Sequence, residues 1–457
     1  MKTTKHEKQI VSRRKFLKTS AGVAATTAAF SIVPRHVLGQ GEKTPSDTLN
    51  IAIVGIGGQG RLQAKNCSVQ ENIFALCDVD WNPAENSRTQ RVFKTYPEAK
   101  KYKDFREMLD KETDIDGVVV ATPDHTHAVI ASMAIKKGKH VYVQKPLTHN
   151  VGEARYLTEL AHKHGVVTQM GNQGRSGDGC REIKEWIEAG VIGEVHTVEN
   201  FTNRPVWPQG NPRPKVADPV PDHLDWDLFL GPAKAVPFNH VYHPFKWRGW
   251  SDWGTGALGD MACHIVDPVF YALDLTYPTS VEASCTKNTP EGSFPKSSTV
   301  YFTFPATEKR GEIALNWYDG GIMPRRPKIM DIRRKMGNGG SGSLFIGTKG
   351  ILMCECYGKN PVLVPHAKMK DFIKPPKTIK RIDGTHEQNW IDGIRGKGTP
   401  TSHFDVSGPL TEMVLMGNLA IANPNKHLLW DGDKMEVTNL KKANTMIMPA
   451  YREGWTL

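Results

Sequence analysis

Five short apolar runs in the first third of the chain predict buried strands. The runs are rich in Val and Ile and lack the apolar–polar alternation of a strand with one face in water. Helix-length segments such as residues 128–137 lie between them. Strands that alternate with helices indicate a doubly wound parallel sheet with right-handed crossovers. The five runs cover residues 49–56, 72–77, 118–123, 140–143 and 166–170.

After residue 172 the apolar segments alternate with polar residues or pair through turns, a pattern typical of antiparallel strands. These segments cover residues 194–201, 280–284, 299–304, 312–317, 344–346 and 351–356. The chain of 457 residues is about three times as long as a typical domain of ~150 residues. We therefore predict two α/β domains, one at residues 48–172 and the other at residues 173–457.

A glycine-rich motif follows the first strand directly. The motif reads Gly55-Ile56-Gly57-Gly58-Gln59-Gly60, and we expect a helix from Arg61 onward. Gly55 permits a tight turn, Gly57 lets the backbone approach a pyrophosphate, and Gly60 allows close packing of helix on strand. In this setting the motif, with Arg61, predicts a Rossmann domain that binds a dinucleotide. The alternative is a glycine-rich turn in an unrelated α/β fold.

Asp78 ends the second predicted strand, 18 residues after Gly60. An acidic residue at about this distance binds the ribose hydroxyls of NAD and would repel the 2′-phosphate of NADP. NAD is therefore favoured over NADP. Doubly wound folds bind ligands beyond the carboxyl ends of their strands, and the further candidates there are Thr122, Pro123, His125, His127, Gln144 and Lys145. For the two histidines a structural role is the open alternative.

Asp260, His264 and Asp267 have the spacing of residues on one face of a helix, and Pro268 is expected to kink or restart that helix. An imidazole suits the transfer of a hydroxyl proton near neutral pH. A structural Asp–His pair and a metal site are alternatives. The spacing matches no zinc motif, so we predict no bound metal.

Several motifs together resemble the Gfo/Idh/MocA oxidoreductase family, in particular its exported branch. They are the glycine motif, Ala-Thr-Pro-Asp-His-Thr-His at 121–127, Gln144-Lys145-Pro146, and residues 226–232, 247–248, 254–264 and 451–455. The resemblance implies that the second domain binds substrate and carries a large, mostly antiparallel open sheet that roofs the nicotinamide. It also implies that Lys145 contacts the substrate hydroxyl, that His264 is the general acid/base and that Asp260 is its acidic partner. Family members usually have Glu where this chain has Gln144.

Aromatic and cationic residues are dense between positions 242 and 250. Aromatic faces suit the apolar face of a sugar ring, and Arg suits its hydroxyls or a carboxylate. We therefore predict that Tyr242, Trp247, Arg248 and Asp267 bind substrate. Ordinary packing between domains is the alternative for each aromatic residue.

The N-terminus has the features of a secretory signal. Paired arginines at 13 and 14 precede Lys15-Phe16-Leu17, an uncharged segment at 21–33, and small or medium residues near 39. This order resembles a twin-arginine signal and predicts a signal peptide at residues 1–40 and a periplasmic or otherwise exported protein. The seven cysteines are scattered, so we read them mainly as small buried hydrophobic residues.

The net charge of +11 invites a nucleic-acid or membrane interpretation. Residues 1–40 contain eight basic and one acidic side chain, which leaves +4 on the remainder. Most of the excess charge therefore belongs to the export signal, and we predict no nucleic-acid partner. The expected partners are the twin-arginine export machinery, a carbohydrate or polyol substrate, and further copies of the chain in a homo-oligomer.

These observations predict an NAD-dependent oxidoreductase that acts on a hydroxyl of a sugar, cyclitol or related polyol. Because free NAD is not expected outside the cytoplasm, the cofactor should be tightly bound and regenerated in place. Two alternatives stay open. One is glycoside cleavage through transient oxidation, and the other is a carbohydrate-binding protein with a vestigial site, which the unusual Gln144 makes worth considering.

Overall fold

In the computed structural model, which describes residues 48–287 and 292–457, the N-terminal apolar runs form one parallel sheet of six strands. The strands are β1 (Asn50–Val54), β2 (Asn72–Cys77), β3 (Lys100–Tyr102), β4 (Gly117–Val120), β5 (His140–Val143) and β6 (Thr168–Met170). Their order, β3-β2-β1-β4-β5-β6, is that of a dinucleotide-binding fold, so the predicted parallel sheet is confirmed. We did not predict β3, a three-residue edge strand without an apolar pattern.

The helices of this half begin and end at residues that satisfy their free backbone groups. They are α1 (Gly60–Cys67), α2 (Arg88–Thr95), α3 (Phe105–Lys111), α4 (His127–Lys136) and α5 (Val151–His164). Ser87 and Asp104 accept hydrogen bonds from backbone N–H groups at the starts of α2 and α3. Asn150 and Glu153 form a capping box at the start of α5, which ends at Gly165 with φ of 62°.

The second sheet has nine strands in the order β13-β12-β11-β7-β10-β9-β8-β14-β15. They are β7 (Val195–Thr202), β8 (Ser280–Cys285), β9 (Ser298–Phe304), β10 (Ile313–Tyr318), β11 (Ser341–Gly347), β12 (Gly350–Glu355), β13 (Val362–Val364), β14 (Leu428–Asp431) and β15 (Glu436–Val437). Among the described residues of this second sheet, β7 and β10 are the only neighbouring strands that pair in parallel. The expected large, mostly antiparallel sheet is confirmed.

Six helices accompany this sheet: α6 (Asp178–Glu188), α7 (Trp226–Leu230), α8 (Gly256–Ile265), α9 (Asp267–Ala272), α10 (His386–Ile394) and α11 (Phe404–Ala422). One apolar core contains side chains of both sheets and of α11, among them Val118, Phe302 and Met413. Helix α10 returns to the first sheet, where Trp390 lies so close to Gly117 that a Cβ there would come within 2.7 Å of the indole. The two halves are therefore joined by shared packing.

The predicted signal peptide at residues 1–40 lies outside the described residues. All seven cysteines are free thiols, and six of them are buried. Among the helices that the structure describes, none combines the length and the apolar character needed to cross a bilayer.

Candidate active site

The glycine motif forms a cradle whose shape requires glycine at two positions. Gly55 has φ of 86°, and a Cβ there would stand 2.6 Å from the backbone of Ala121. A Cβ on Gly60 would stand 2.0 Å from the carbonyl oxygen of Gly55. In contrast, a Cβ on Gly58 would meet no atom within 4 Å. The backbone is therefore tightly packed on the protein side and open on the side where a pyrophosphate would bind.

Asp78 is hydrogen-bonded to this cradle. Its Oδ2 accepts from the N–H groups of Ile56 at 2.8 Å and Gly57 at 3.1 Å, and its Oδ1 accepts from the N–H of Asp80 at 3.0 Å. Burial raises the pKa of Asp78 to about 6, against the opposing effect of these backbone donors. The carboxylate lies beside the cradle, as the ribose-binding role predicted from sequence requires.

The start of α1 supports the same interpretation. Gln59, which precedes α1, makes no side-chain cap, so the first N–H groups of the helix are left for a ligand. Gln59 and Arg61 are exposed. A cavity of about 330 Å³ runs from Gln59 along the carboxyl ends of β5 and β6, with Gln144, Gln173 and His386 in its wall. The glycine cradle, Asp78 and this cavity fit a dinucleotide.

The side chains of His125 and His127, which follow β4, are buried in the protein interior. His127 is fully buried, with Nδ1 2.8 Å from the carbonyl oxygen of Pro146 and Nε2 3.0 Å from that of Thr122. The Nε2 of His125 lies 2.9 Å from the carbonyl oxygen of Phe229, and the side chain is 3% exposed. Burial lowers the pKa of His125 to about 3. Both rings hold backbone segments together, which is the structural alternative left open above.

Thr122 and Pro123 follow β4, where the hydroxyl of Thr126 donates to that of Thr122 at 2.7 Å. Gln144 is buried at the end of β5 and packs on Gly171, where a Cβ would come within 2.8 Å of the carboxamide. The side chain that replaces the usual Glu is thus held in place by a glycine of the neighbouring strand end.

Lys145 and Asp260 meet across the two halves of the protein. The ammonium group of Lys145 lies 2.7 Å from Oδ1 of Asp260 and donates to the carbonyl oxygen of the same residue at 2.7 Å. The Nε of Arg248 donates to the same Oδ1 at 3.2 Å. Burial alone would raise the pKa of Asp260, but the charges of Lys145 and Arg248 hold it well below its usual range. One ionised carboxylate therefore fixes two cations.

His264 lies on the same face of α8, one turn beyond Asp260. Its side chain is 5% exposed, and its buried Nδ1 has no hydrogen-bond partner among the described residues. Burial, together with the positive charge of Lys145, lowers the pKa of His264 to about 3. The imidazole is therefore neutral near neutral pH, with a lone pair on one ring nitrogen.

Asp267 differs from our prediction that it binds substrate. It begins α9, because the helix restarts at Pro268, and its carboxylate lies 2.9 Å from the guanidinium of Arg175. Asp267 is 1% exposed and Arg175 is equally inaccessible. Burial raises the pKa of Asp267 to about 6, although the charge of Arg175 opposes the change. This pair anchors a helix and does not face the Lys145 site.

The two aromatic residues that we predicted to bind substrate, Tyr242 and Trp247, are also buried in the protein interior. Tyr242 is 1% exposed and packs in a cluster with Trp226, Trp250 and Trp253. Trp247 is buried too, and its ring lies 4.3 Å from the guanidinium carbon of Arg248. Both aromatic residues therefore pack in the interior, and Trp247 also orients Arg248. Arg248 itself remains partly exposed beside Asp260.

Two residues that contact predicted site residues were not predicted from the sequence. Arg175 pairs with Asp267, and Tyr357 places its ring centroid 4.8 Å from that of His264. No local pattern distinguishes either from a surface residue, because their partners are far away in the sequence.

Across residues 48–287 and 292–457 no group of three or more His, Cys, Asp or Glu side chains is arranged to hold a metal ion.

Comparison with known proteins agrees with this geometry. Residues 49–172 match the family model described as the oxidoreductase family, NAD-binding Rossmann fold. Residues 177–304 match the model of the same family's C-terminal alpha/beta domain. The two matches cover the glycine cradle, Asp78, Lys145, Asp260 and His264.

Several curated relatives are named dehydrogenases of cyclitols or sugars. The chain is 26% identical to myo-inositol 2-dehydrogenase of Thermotoga maritima over 180 residues, which are 39% of this chain and 48% of the relative. It is 29% identical to levoglucosan dehydrogenase of Pseudarthrobacter phenanthrenivorans, over 59% of this chain and 60% of the relative. The chain thus spans about half the length of the first of these relatives.

Solved structures share the fold. A levoglucosan dehydrogenase in complex with NADH and levoglucosan superposes with a TM-score of 0.56 at 16% identity, over 82% of this chain and 98% of that one. The WlbA dehydrogenase of Bordetella pertussis, in complex with NADH and UDP-GlcNAcA, superposes with a TM-score of 0.57 at 17% identity. The superposition covers 84% of this chain and 99% of that one. From the two family matches and this shared architecture, the chain belongs to the Gfo/Idh/MocA oxidoreductase family.

Proposed function

We propose that the protein is an NAD-dependent oxidoreductase that acts on a secondary hydroxyl of a sugar, cyclitol or related polyol. The observation that carries the proposal is the contact of Lys145 with Asp260, beside Arg248 and a neutral His264. These groups come from different parts of the chain and meet at the carboxyl end of β5, in the sheet that also carries the glycine cradle. The names of the inositol and levoglucosan dehydrogenases support the substrate class.

The chain's own groups would perform the proton chemistry. Lys145, which forms an ion pair with Asp260, donates a hydrogen bond to the substrate oxygen and stabilises its developing negative charge. Neutral His264 accepts the hydroxyl proton during oxidation and returns it during reduction. The free terminal N–H groups of Arg248 orient neighbouring hydroxyls. When bound, the nicotinamide supplies the redox chemistry by taking or giving a hydride.

We further propose that the protein is exported through the twin-arginine route with its cofactor bound, and that it works as a homo-oligomer in the periplasm. The ordered arginine, apolar and small-residue segments at 12–39 support the export. Fractionation of cells that express the full chain, beside a variant with both arginines 13 and 14 changed to Lys, tests the export. Light scattering of the purified protein tests the oligomer.

The first test of the function is the cofactor and its turnover. Protein purified from the periplasm should release NAD on acid denaturation, identified by mass spectrometry, and sugars or cyclitols should raise the absorbance of reduced nicotinamide. A glycoside-cleaving enzyme would instead release an aglycone without a lasting change in the cofactor. Failure to retain or bind either NAD or NADP would remove both enzymatic ideas and leave the vestigial binding protein.

The second test assigns the residues. Lys145→Met and His264→Gln should each lower kcat by about 10²-fold or more, because each removes a group that meets developing charge or the transferred proton. Both variants should retain NAD. Lys139→Met, at the other end of β5, and His196→Gln, exposed on β7, are matched controls that should keep normal kcat. Equal activity in the control and the site variants would contradict the assignment.

A further inference from the structure

Tyr357 lies two residues beyond the end of β12 with its backbone in the left-handed region, at φ of 67° and ψ of 16°. A bulky L-residue seldom adopts this conformation, because its Cβ crowds the backbone. Five non-glycine residues of the described chain have positive φ, and three of them are Asn or Asp, which tolerate it best. The other bulky residue is Met435, in the turn between β14 and β15.

The surroundings of Tyr357 enforce this conformation. The N–H of Glu355 donates to the carbonyl oxygen of Lys359 at 2.8 Å, which closes a tight loop around Tyr357. The sulfur of Cys180 lies 3.6 Å from the carbonyl oxygen of Tyr357 and 3.2 Å from that of Gly174. Gly174 leaves the space that Tyr357 fills, since a Cβ there would stand 3.0 Å from the Cα of Tyr357. Strain that several contacts maintain in this way is typical of functional sites.

The strained turn brings the phenol ring to His264. The two ring centroids are 4.8 Å apart, with their planes inclined by 58°. Burial, with the nearby Cys356 and Asp260, raises the pKa of Tyr357 to about 12, so the phenol is neutral and does not itself act as the base. The charged and titratable groups around His264 are Lys145, Asp260 and His386.

We propose that Tyr357 is a positioning residue, whose ring fixes the imidazole of His264 for proton transfer and excludes water from it. The proposal rests on the role that the proposed function gives to His264. It explains two observations together: a bulky side chain in the left-handed region, and a helix-borne imidazole whose Nδ1 finds no hydrogen-bond partner within residues 48–287 and 292–457. Ring contact supplies the restraint that a hydrogen bond would otherwise give.

Tyr357→Asn and Tyr357→Phe separate the ring from the backbone conformation. Asn tolerates the left-handed region but removes the ring, whereas Phe keeps the ring. We expect Tyr357→Asn to lower kcat by about 10- to 100-fold with an unchanged KM for NAD, because the base loses its alignment. Water would then reach the imidazole, so its pKa should rise toward ~6.5 and the acid limb of kcat/KM should move to higher pH. Tyr357→Phe should stay close to wild type in both readouts.

A second measurement works without turnover. In protein with ¹³C-labelled histidine, the signal of His264, assigned by its loss in His264→Gln, should not titrate near neutral pH in the wild type. In Tyr357→Asn it should titrate there. Met435→Asn makes the same kind of exchange at the other bulky left-handed residue, near the far edge of the sheet, and should change neither readout.

The outcomes are separable. If the wild type oxidises no sugar or cyclitol, the proposed function fails, while the titration still tests the contact with His264. If Tyr357→Asn is as active as wild type and its His264 still does not titrate, the positioning role is overturned. If Tyr357→Asn does not fold, Tyr357→Leu also removes the ring. Its activity and the titration of its His264 then decide whether Tyr357 positions the imidazole.

Discussion

A single oxygen of Asp260 holds both Lys145 and Arg248, and this sharing determines the charge of the site. The two cations and one carboxylate leave a net positive charge at the position where an alkoxide would develop. His264 adds no charge, because burial lowers its pKa to about 3. An electrostatic arrangement that exists before substrate binds needs little reorganisation during the reaction.

Replacement of Asp260 by Asn tests this arrangement. The change leaves two largely buried cations without a counter-charge, so the free energy of unfolding should fall by about 3 kcal/mol at pH 7. The pKa of Asp260 is depressed in the folded state, so its contribution is complete above the unfolded pKa of ~3.9 and is lost as pH falls further. Urea denaturation of both proteins should therefore show a constant difference from pH 8 to 5, which shrinks below about 4. A difference that already shrinks at pH 6 would contradict the assignment.

At this scale the sequence predicts residues whose function follows from their neighbours in the chain. The glycine motif and Asp78 are of this kind, because strand, turn and helix are consecutive. Asp267 is not of this kind. The helical spacing predicts the helix face on which Asp267 lies but not the side chain that it contacts, which is Arg175. Tyr357 could not be predicted either, because its conformation depends on Gly174 and Cys180.

Helices α8 and α9 show how an element carries the site. Asp260 and His264 share one face of α8, and the restart at Pro268 turns Asp267 toward α6 and the loop before it. The hydroxyl of Ser343 on β11 donates to the carbonyl oxygen of Ile265 at 3.1 Å, which ties the end of α8 to the large sheet. Helix α8 is therefore fixed at its C-terminal end and through its continuation into α9.

The pair of Arg175 and Asp267 can be tested by a double-mutant cycle. Arg175→Met should cost about 3 kcal/mol, because it leaves Asp267 buried without its cation, and Asp267→Leu should cost a similar amount. The double variant should be more stable than either single variant, since no buried charge remains unpaired. Urea denaturation of the four proteins gives the coupling free energy. Simple addition of the two costs would show that the residues act independently.

Elements with a repeated apolar pattern were predictable, and those without one were not. The central strands β1, β4 and β5 are buried on both faces and therefore read as continuous apolar runs. Strands β3, β13 and β15 have only two or three residues, too few to establish a period. Pairing to a longer neighbour creates such strands, so local sequence does not reveal them.

For the whole molecule, the pattern of the elements predicts a parallel sheet in the first half and a mostly antiparallel sheet in the second. It does not predict that the two halves share one apolar core. Helix α10 is more than 200 residues away from the first sheet in sequence and yet buries Trp390 against it. A consequence is that the two halves should unfold together, because the apolar core that contains α11 belongs to both.

The acid stability of the whole molecule depends on two opposing sets of buried groups. Burial lowers the pKa of His125, His264 and His386 to about 3, 3 and 4. Unfolding therefore binds three protons below pH ~6.5, which weakens the fold as pH falls. Burial also raises the pKa of Asp78, Asp267 and Asp319 to about 6. These three bind protons in the folded state first, which strengthens the fold as pH falls from 6 to about 4.

The difference between the two sets predicts the shape of the curve. Near pH 5 the two sets nearly cancel, so the free energy of unfolding should fall by only about 0.5 kcal/mol per pH unit. Below about pH 4 the aspartates of the unfolded state bind protons as well, but the folded histidines also begin to protonate, so the slope should steepen only to about 1 kcal/mol per unit. Urea denaturation between pH 7 and 3.5 measures both slopes. Asp319→Asn removes one opposing carboxyl and should steepen the slope near pH 5, whereas an unchanged slope would show that this carboxyl keeps an ordinary pKa in the fold.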